Sequence, residues 1–178
     1  MSLVMPMEAP AVPLRVTPLT AWHRAHGGTL VGFAGWDMPV SYAGILEEHA
    51  AVRGGAGLFD VSHMGRVAVR GPAAAAFLQR LTSNDAARLA PGRGQYTLAL
   101  NDTGGVRDDL IIFRLEGEWL VIVNAWNRGK IMYHFRAHAG TGVELADRSD
   151  ELAMIALQGP SAAALLAPLA PGSGSLAR

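Results

Sequence analysis

Two adjacent carboxylates, Asp108 and Asp109, stand at the start of an apolar segment whose composition is typical of a strand. Asp is unfavourable in strands, and a carboxylate in apolar surroundings costs several kcal/mol unless it is paired or hydrogen-bonded. Successive strand residues point to opposite faces, so only one of the two can readily face a given pocket. Two interpretations stay open on these residues alone: a carboxylate that works in a site, or a polar strand end held by Arg107 and the amides of the preceding turn.

Other residue pairs suggest chemistry less specifically. His134 and His138 have the spacing of two metal ligands on one helix, but no third ligand is evident, so we expect core histidines and no metal. Ser62 and His63 are adjacent, which does not suit a nucleophile and its base. The Gly-rich segments 91–96 and 101–106 lack the spacing of phosphate-binding loops and are interpreted as turns.

The composition excludes several classes of protein. Half of the 178 residues are hydrophobic and 17% are charged, which indicates a packed globular chain. Fifteen basic residues balance fifteen acidic ones without a dense basic run, so we expect no nucleic-acid partner. The chain has no cysteine, which excludes disulfides and thiol nucleophiles. No uninterrupted run of about 18 apolar residues is present, so we expect no membrane span and a cytoplasmic location.

The elements that would position these residues follow from periodicity. Thr17-Pro18 predicts a helix start, with Leu19, Trp22 and His26 on one face and Gly27-Gly28 as its end. A strand is predicted over 29–34 and a structured loop over 35–44, where Trp36, Met38 and Tyr42 would line a pocket. A helix over 45–53 would bury Ile45, His49 and Val52. Further strands are predicted at 66–70, 95–100, 109–115, 118–125, 143–148 and 152–158, and a helix is predicted at 127–139.

An internal similarity relates residues 67–81 to residues 155–169. Eight of the fifteen aligned positions are identical, and both segments run from a strand through Gly-Pro into an Ala-rich helix. Compositional bias in an Ala-rich chain is the alternative explanation. We favour a duplicated β-α unit within one α+β domain.

Four motifs occur in a fixed order: residues 33–65, 95–113, 119–127 and 156–160. Together they resemble the aminomethyltransferase (T-protein) family of the glycine cleavage system from about Thr17 onward. The resemblance implies a folate-dependent reaction. A lipoyl carrier protein presents an aminomethyl group, tetrahydrofolate takes the carbon as 5,10-methylenetetrahydrofolate, and ammonia leaves.

The resemblance also implies roles for particular residues. The first Asp of the family's GGxxDD segment corresponds to Asp108, which would orient the folate amine and assist proton movement, while Asp109 would be structural. Met64 and Tyr96 would pack around the pterin, and Asn124 would hydrogen-bond its edge. Two further residues of the same motifs, Asp60 and His63, would either contact the ligand or brace their own loop.

The expected organisation is an extended leader over 1–16 and a folate-binding domain over 17–178. Members of the family are longer, so we expect the duplicated domain to be incomplete, the C-terminal barrel to be absent and activity alone to be weak. Exposed apolar surface on the incomplete half would favour self-association. The alternatives are a non-catalytic folate-binding scaffold, or the folate domain of a relative that demethylates N-methylated glycines.

Overall fold

The structure is a computed structural model that describes residues 12–171. Most of the predicted leader, 1–11, and the last seven residues of the predicted domain, 172–178, lie outside this range. Residues 12–16 of the predicted leader are described, and among them Arg15 forms a parallel bridge with Trp36 and donates its backbone N–H to the Gly35 carbonyl.

Within the described residues, short helices and strands alternate along the chain. The helices are α1 (Thr20–Ala25), α2 (Ile45–Gly54), α3 (Ala74–Leu81), α4 (Arg128–His138) and α5 (Ala162–Leu166). The strands are β1 (Thr29–Phe33), β2 (Trp36–Ser41), β3 (Gly57–Asp60), β4 (Gly65–Arg70), β5 (Gly94–Leu100), β6 (Val106–Arg114), β7 (Trp119–Val123), β8 (Glu144–Asp147) and β9 (Ile155–Gln158). The α+β class is confirmed, and so are the predicted strands from β4 to β9 and the predicted helix α4.

The largest sheet has the antiparallel order β5-β6-β7-β4-β8. Two smaller two-stranded sheets join β1 to β2 and β3 to β9. Because β3 pairs with β9, the turn between β3 and β4 lies close to the segment that leads into β9. Ser62 fixes this approach, since its hydroxyl donates to the Met154 carbonyl and accepts from the Met154 N–H.

One face of the large sheet packs against α3 and α4. Alternate residues of β4, β6 and β7 point into this core, among them Val67, Leu110 and Val121. Phe77 of α3 and Phe135 of α4 meet edge to face with ring centroids 5.4 Å apart. Each such side chain contributes roughly 1.5–3 kcal/mol by leaving water, so this face is strongly fixed. Among the described residues, the opposite face of β5 and β6, which we term the open face, exposes Tyr96, Asp109, Ile111 and Phe113.

Three predictions about the first elements are wrong. Residues 36–41 form β2 instead of a loop, because Pro39 lies in a two-stranded sheet where a missing N–H is tolerated. In α1 the buried residues are Thr20 and His23, while Trp22 of the predicted face is half exposed. No residue of α2 is buried. Polar contacts to neighbouring elements, described below, fix α1 instead of an apolar stripe.

Candidate functional site

Strand β6 sends its two carboxylates to opposite faces of the sheet, as alternation predicts. Asp108 lies on the same side as Leu110 and Ile112, which are completely buried, and is itself only 4% exposed. Asp109 lies on the open side with Ile111 and is exposed. The expectation placed Asp108 at the ligand and turned Asp109 away, whereas this structure buries Asp108 and exposes Asp109, because alternate residues from Asp108 onward pack into the core.

Asp108 is a hydrogen-bond acceptor for the start of α4. Its Oδ1 accepts from the side-chain amides of Asn124 (3.0 Å) and Asn127 (2.6 Å), and its Oδ2 accepts from the backbone N–H of Asn124 (3.1 Å). Three donors compensate the cost of burying this carboxylate. Asp108 thus ties the end of β7 and the N-terminus of α4 to β6, which matches the second of the two interpretations given above.

Asp109 belongs to a polar cluster on the open face. The Asn124 side-chain amide donates to Asp109 Oδ1 at 2.7 Å and to Asp108 at the same time, so one amide bridges both carboxylates. Burial, a hydrogen bond with Asp109 and the charges of Asp109 and Asp108 raise the pKa of Tyr96, whose phenol therefore stays protonated at neutral pH. The cluster gives a ligand one exposed carboxylate flanked by a phenol and an amide.

Apolar side chains surround this polar cluster. Asp109 pairs with Leu98 and Tyr96 pairs with Ile111 across β5 and β6, and Phe113 follows on the same face. Tyr96 is 58% exposed, and Ile111 and Phe113 are partly exposed. A flat ring that lies on this surface would contact apolar atoms below and carboxylate, phenol and amide groups at its edge.

Met64 lies at the same end of the sheet because Gly65, the next residue, pairs with Val123 beside Asn124. A buried arginine positions this turn: Arg66 donates to the carbonyl oxygens of Ser62 (3.0 Å), Met64 (2.5 Å) and Ser149. Sequence reasoning missed Arg66. The signal in the sequence was an arginine next to Val67 in a predicted strand. If both faces of that strand are covered, the arginine is buried and must find several hydrogen-bond acceptors.

In the described part of the chain, the contacts of Asp60 and His63 are with their own neighbourhood and do not include Tyr96, Asp109 or Asn124. The Asp60 side chain is 0% exposed and accepts from Thr17 Oγ1 (2.6 Å), His23 Nε2 (2.9 Å) and the Ser62 N–H (2.9 Å), so it braces its own loop. The His63 ring meets Phe33 edge to face at 5.7 Å between centroids. Burial lowers the pKa of His63, Asp60 raises it and Arg66 lowers it further, with a net decrease. A direct ligand contact by the Asp60 carboxylate is incompatible with this enclosure.

The described residues hold no group of three or more His, Asp or Glu side chains placed to bind a metal ion. His134 is buried in the core, and His138 Nδ1 donates to the His134 carbonyl at 2.8 Å. In the part of the chain from 12 to 171, no helix has the length and apolar character of a membrane span.

This chain is similar to known proteins over most of its length. A family model described as "GCVT N-terminal domain" matches residues 19–176. The chain belongs to this family. It is 54% identical over 160 residues to the aminomethyltransferase of Rubrobacter xylanophilus and 48% identical over 163 residues to that of Deinococcus deserti. These alignments cover 89% and 90% of the chain but 43% and 46% of the relatives, so the chain spans less than half of their length.

A solved structure extends the relationship to the fold. The chain matches the glycine cleavage system aminomethyltransferase T from Bartonella henselae with a TM-score of 0.83 and 40% sequence identity. The match covers 92% of this chain and 45% of that protein. The resemblance to the T-protein family inferred from the sequence motifs is confirmed. The chain corresponds to the N-terminal portion of the members of this family, which are aminomethyltransferases.

Proposed function

We propose that this chain binds tetrahydrofolate on the open face of β5 and β6 and serves in transferring an aminomethyl carbon to it. One observation supports this most directly: in a member of the GCVT family, Tyr96, Asp109 and Asn124 form one accessible polar cluster on an apolar surface. Met64 lies at the same end of the sheet, beside Asn124. A pterin has the matching properties, a flat ring with N–H donors along its edge.

Within this proposal the working carboxylate is Asp109. It is exposed on the face that Tyr96 and Asn124 share, so it can accept from a folate N–H and hold the proton that moves during transfer. Asn124 orients the carboxylate and Tyr96 supplies a protonated phenol at the ring edge. Asp108 supports the cluster through Asn124 without touching the ligand.

The proposed reaction uses a lipoyl carrier protein as the donor. The bond between the lipoyl sulfur and the aminomethyl carbon breaks, as does the bond between that carbon and its nitrogen. The carbon joins the two folate nitrogens, whose hydrogens pass to the sulfur and to the departing nitrogen. The products are the dihydrolipoyl thiol, ammonia and 5,10-methylenetetrahydrofolate. The chain's own contribution is to orient the folate and to accept a proton at Asp109.

Calorimetric titration with tetrahydrofolate tests the binding site, with paired substitutions that separate Asp108 from Asp109. Asp109→Asn should abolish or strongly weaken binding and change the free energy of unfolding by no more than about 0.5 kcal/mol, as for an exposed residue. Asp108→Asn should cost about 1–3 kcal/mol of stability because an amide cannot accept from all three donors. Asp102→Asn, whose side chain is 91% exposed, is the control for loss of a surface charge.

The opposite pattern would overturn the assignment. If Asp108→Asn removed binding at unchanged stability and Asp109→Asn bound normally, the carboxylate at the ligand would be Asp108. If tetrahydrofolate did not bind the wild-type protein, or bound it with an affinity that neither substitution changed, the open face would not be the folate site.

A second candidate is folate binding without transfer, which requires only the accessible cluster of Tyr96, Asp109 and Asn124 on the open face. Transfer of an isotope-labelled carbon from a loaded lipoyl carrier to tetrahydrofolate separates the two. A labelled product indicates the transferase, and binding without label indicates the scaffold. Formaldehyde delivered from an N-methylated glycine would instead indicate the demethylating relatives.

A further inference from the structure

A second polar chain connects the protein surface to the buried carboxylate of Asp60, at the end of β3. The Tyr42 hydroxyl lies 2.5 Å from His23 Nδ1, and His23 Nε2 lies 2.9 Å from Asp60 Oδ2. Tyr42 is 40% exposed, His23 is buried, and the Asp60 side chain is fully enclosed. The three residues come from the loop after β2, from α1 and from the end of β3.

One tautomer of His23 matches the acceptors and donors on both sides of its ring. Asp60 also accepts from Thr17 Oγ1 and the Ser62 N–H, so its carboxylate is held by donors on both oxygens. In the tautomer whose Nε2 hydrogen is directed at that carboxylate, Nδ1 is the acceptor for the Tyr42 hydroxyl. A hydroxyl, an imidazole and a buried carboxylate in this order form the arrangement that activates serine in hydrolytic triads, here with a phenol in the first position.

We propose that Tyr42 is an activated nucleophile that accepts acyl groups from activated acyl donors, independently of the proposed folate site. The Tyr42 oxygen attacks the acyl carbon while its proton passes to His23 Nδ1. The bond between the acyl carbon and the leaving group breaks, and the leaving group takes the proton from His23. The product is an ester on Tyr42 and the protonated leaving group, so atoms and charge balance without any further reactant.

The surroundings of Tyr42 suit this role. A Cβ at Gly28 would lie only 3.1 Å from the Tyr42 ring, so glycine at this position leaves room for the ring beside α1. Burial and the charges of Glu48 and Asp60 raise the pKa of Tyr42. The phenol is therefore protonated at neutral pH and depends on a base for its reactivity, and His23 is the base within reach.

The other two tyrosines of the chain provide internal controls. Tyr133 is 77% exposed, and its hydroxyl makes no hydrogen bond within residues 12–171. Tyr96 is also more exposed than Tyr42, but its hydroxyl interacts with a carboxylate, Asp109, instead of an imidazole. If exposure alone decided reactivity, Tyr42 would be the slowest of the three.

The test is acetylation by N-acetylimidazole, followed by peptide mass mapping of the three tyrosines over time. Tyr42 should be acetylated at least about tenfold faster than Tyr133 despite its lower exposure. This factor is smaller than the rate enhancement that a positioned general base typically supplies. This comparison is made inside the wild-type protein, so it does not depend on whether any variant folds. Equal or slower acetylation of Tyr42 would overturn the proposal.

Substitution of the base identifies its source. His23→Gln should slow acetylation of Tyr42 on the order of a hundredfold and leave Tyr133 unchanged. His26→Gln is the matched control, because His26 lies on the same helix region but stacks on Trp22 at 4.0 Å between ring centroids and does not contact Tyr42. If His23→Gln retained the circular dichroism of the wild type and also its fast Tyr42 acetylation, His23 would not be the base.

Discussion

At the scale of single residues, the Asp60 carboxylate shows how one enclosed charge holds several elements. Burial by itself raises the pKa of Asp60, but hydrogen bonds from Thr17, His23 and Ser62 outweigh it and lower that pKa below its ordinary value. Folding therefore favours the charged form. These bonds join the start of α1 and the β3–β4 turn to one carboxylate, and α1 has few apolar contacts that could replace them.

The lowered pKa has a consequence for stability against acid. The stabilisation from the Asp60 charge is present in full above the unfolded-state pKa of about 3.9 and is lost as the pH falls through the lower folded-state pKa. Asp60→Asn should therefore cost about 1–3 kcal/mol at pH 7, and the gap to the wild type should narrow below about pH 4. Urea unfolding at pH 7, 5, 4 and 3 measures both, with Asp102→Asn as the surface control. A gap that stayed constant across these pH values would show that the charge of Asp60 is not involved.

The residue scale also shows a limit of sequence reasoning. Alternation correctly predicted that Asp108 and Asp109 face opposite sides, but both faces of β6 have apolar residues, so periodicity could not choose between them. The register is further obscured by a bulge, since Leu100 pairs with Val106 while Ala99 pairs with Asp108. Which carboxylate is exposed was decided by α3 and α4 covering one face, a tertiary fact that no local pattern contains.

At the scale of elements, the two Gly-Pro turns of the internal similarity share their detailed contacts. Gly71 and Gly159 both have positive φ, 99° and 116°. In each turn the residue after proline donates its N–H to a distant glycine carbonyl at 3.0 Å: Ala73 to Gly142 and Ser161 to Gly55. A recurring long-range contact is not explained by an Ala-rich composition, so it supports the duplicated β-α unit.

The close contact at Gly71 predicts that alanine substitution there will cost more stability than alanine substitution at a glycine without close neighbours. A Cβ at Gly71 would lie 2.3 Å from the Gly142 carbonyl oxygen, whereas at Gly117, with φ of 78°, it would have no neighbour within 4 Å. Gly117→Ala should therefore cost only the left-handed backbone conformation, roughly 1–2 kcal/mol, and Gly71→Ala should cost more because the backbone must also move. Equilibrium unfolding in urea compares the two. Equal losses would mean that the close approach to Gly142 contributes nothing to stability.

Helices and strands were predicted accurately where apolar residues recur at one regular spacing. They were predicted poorly where a proline lies in a strand or where polar contacts orient a helix. Strands β5, β6 and β7 and helix α4 were predicted because their apolar residues recur at the spacing that the core requires. Strand β2 was missed because Pro39 is unfavourable in central strands but tolerated in a two-stranded sheet. The buried face of α1 was missed because hydrogen bonds to Thr17 and Asp60 orient it.

At the scale of the whole molecule, the two copies of the β-α unit differ in how far they are covered. Helix α3 buries Phe77 and Leu81 to 4% exposure, but the equivalent residues of the second copy, Leu165 and Leu169, are 52% and 82% exposed. Strand β3, which pairs with the second copy, also exposes Leu58. The exposed Leu165 and Leu169 are therefore counterparts of residues that are buried in the first copy, and Leu58 adds an exposed apolar side chain on a strand that pairs with the second copy.

An exposed apolar surface of this kind favours association between copies of the chain, as the sequence had suggested. We expect sedimentation velocity to show a concentration-dependent shift above the monomer mass of 18.8 kDa. The double substitution Leu165→Lys with Leu169→Lys should restore the monomer, because each lysine would place a charge in the contact. Val106→Lys with Leu115→Lys alters two exposed apolar residues, at the start of β6 and just after its end, and should leave association unchanged. A wild-type chain that stayed monomeric at every concentration would show that this surface does not drive self-association.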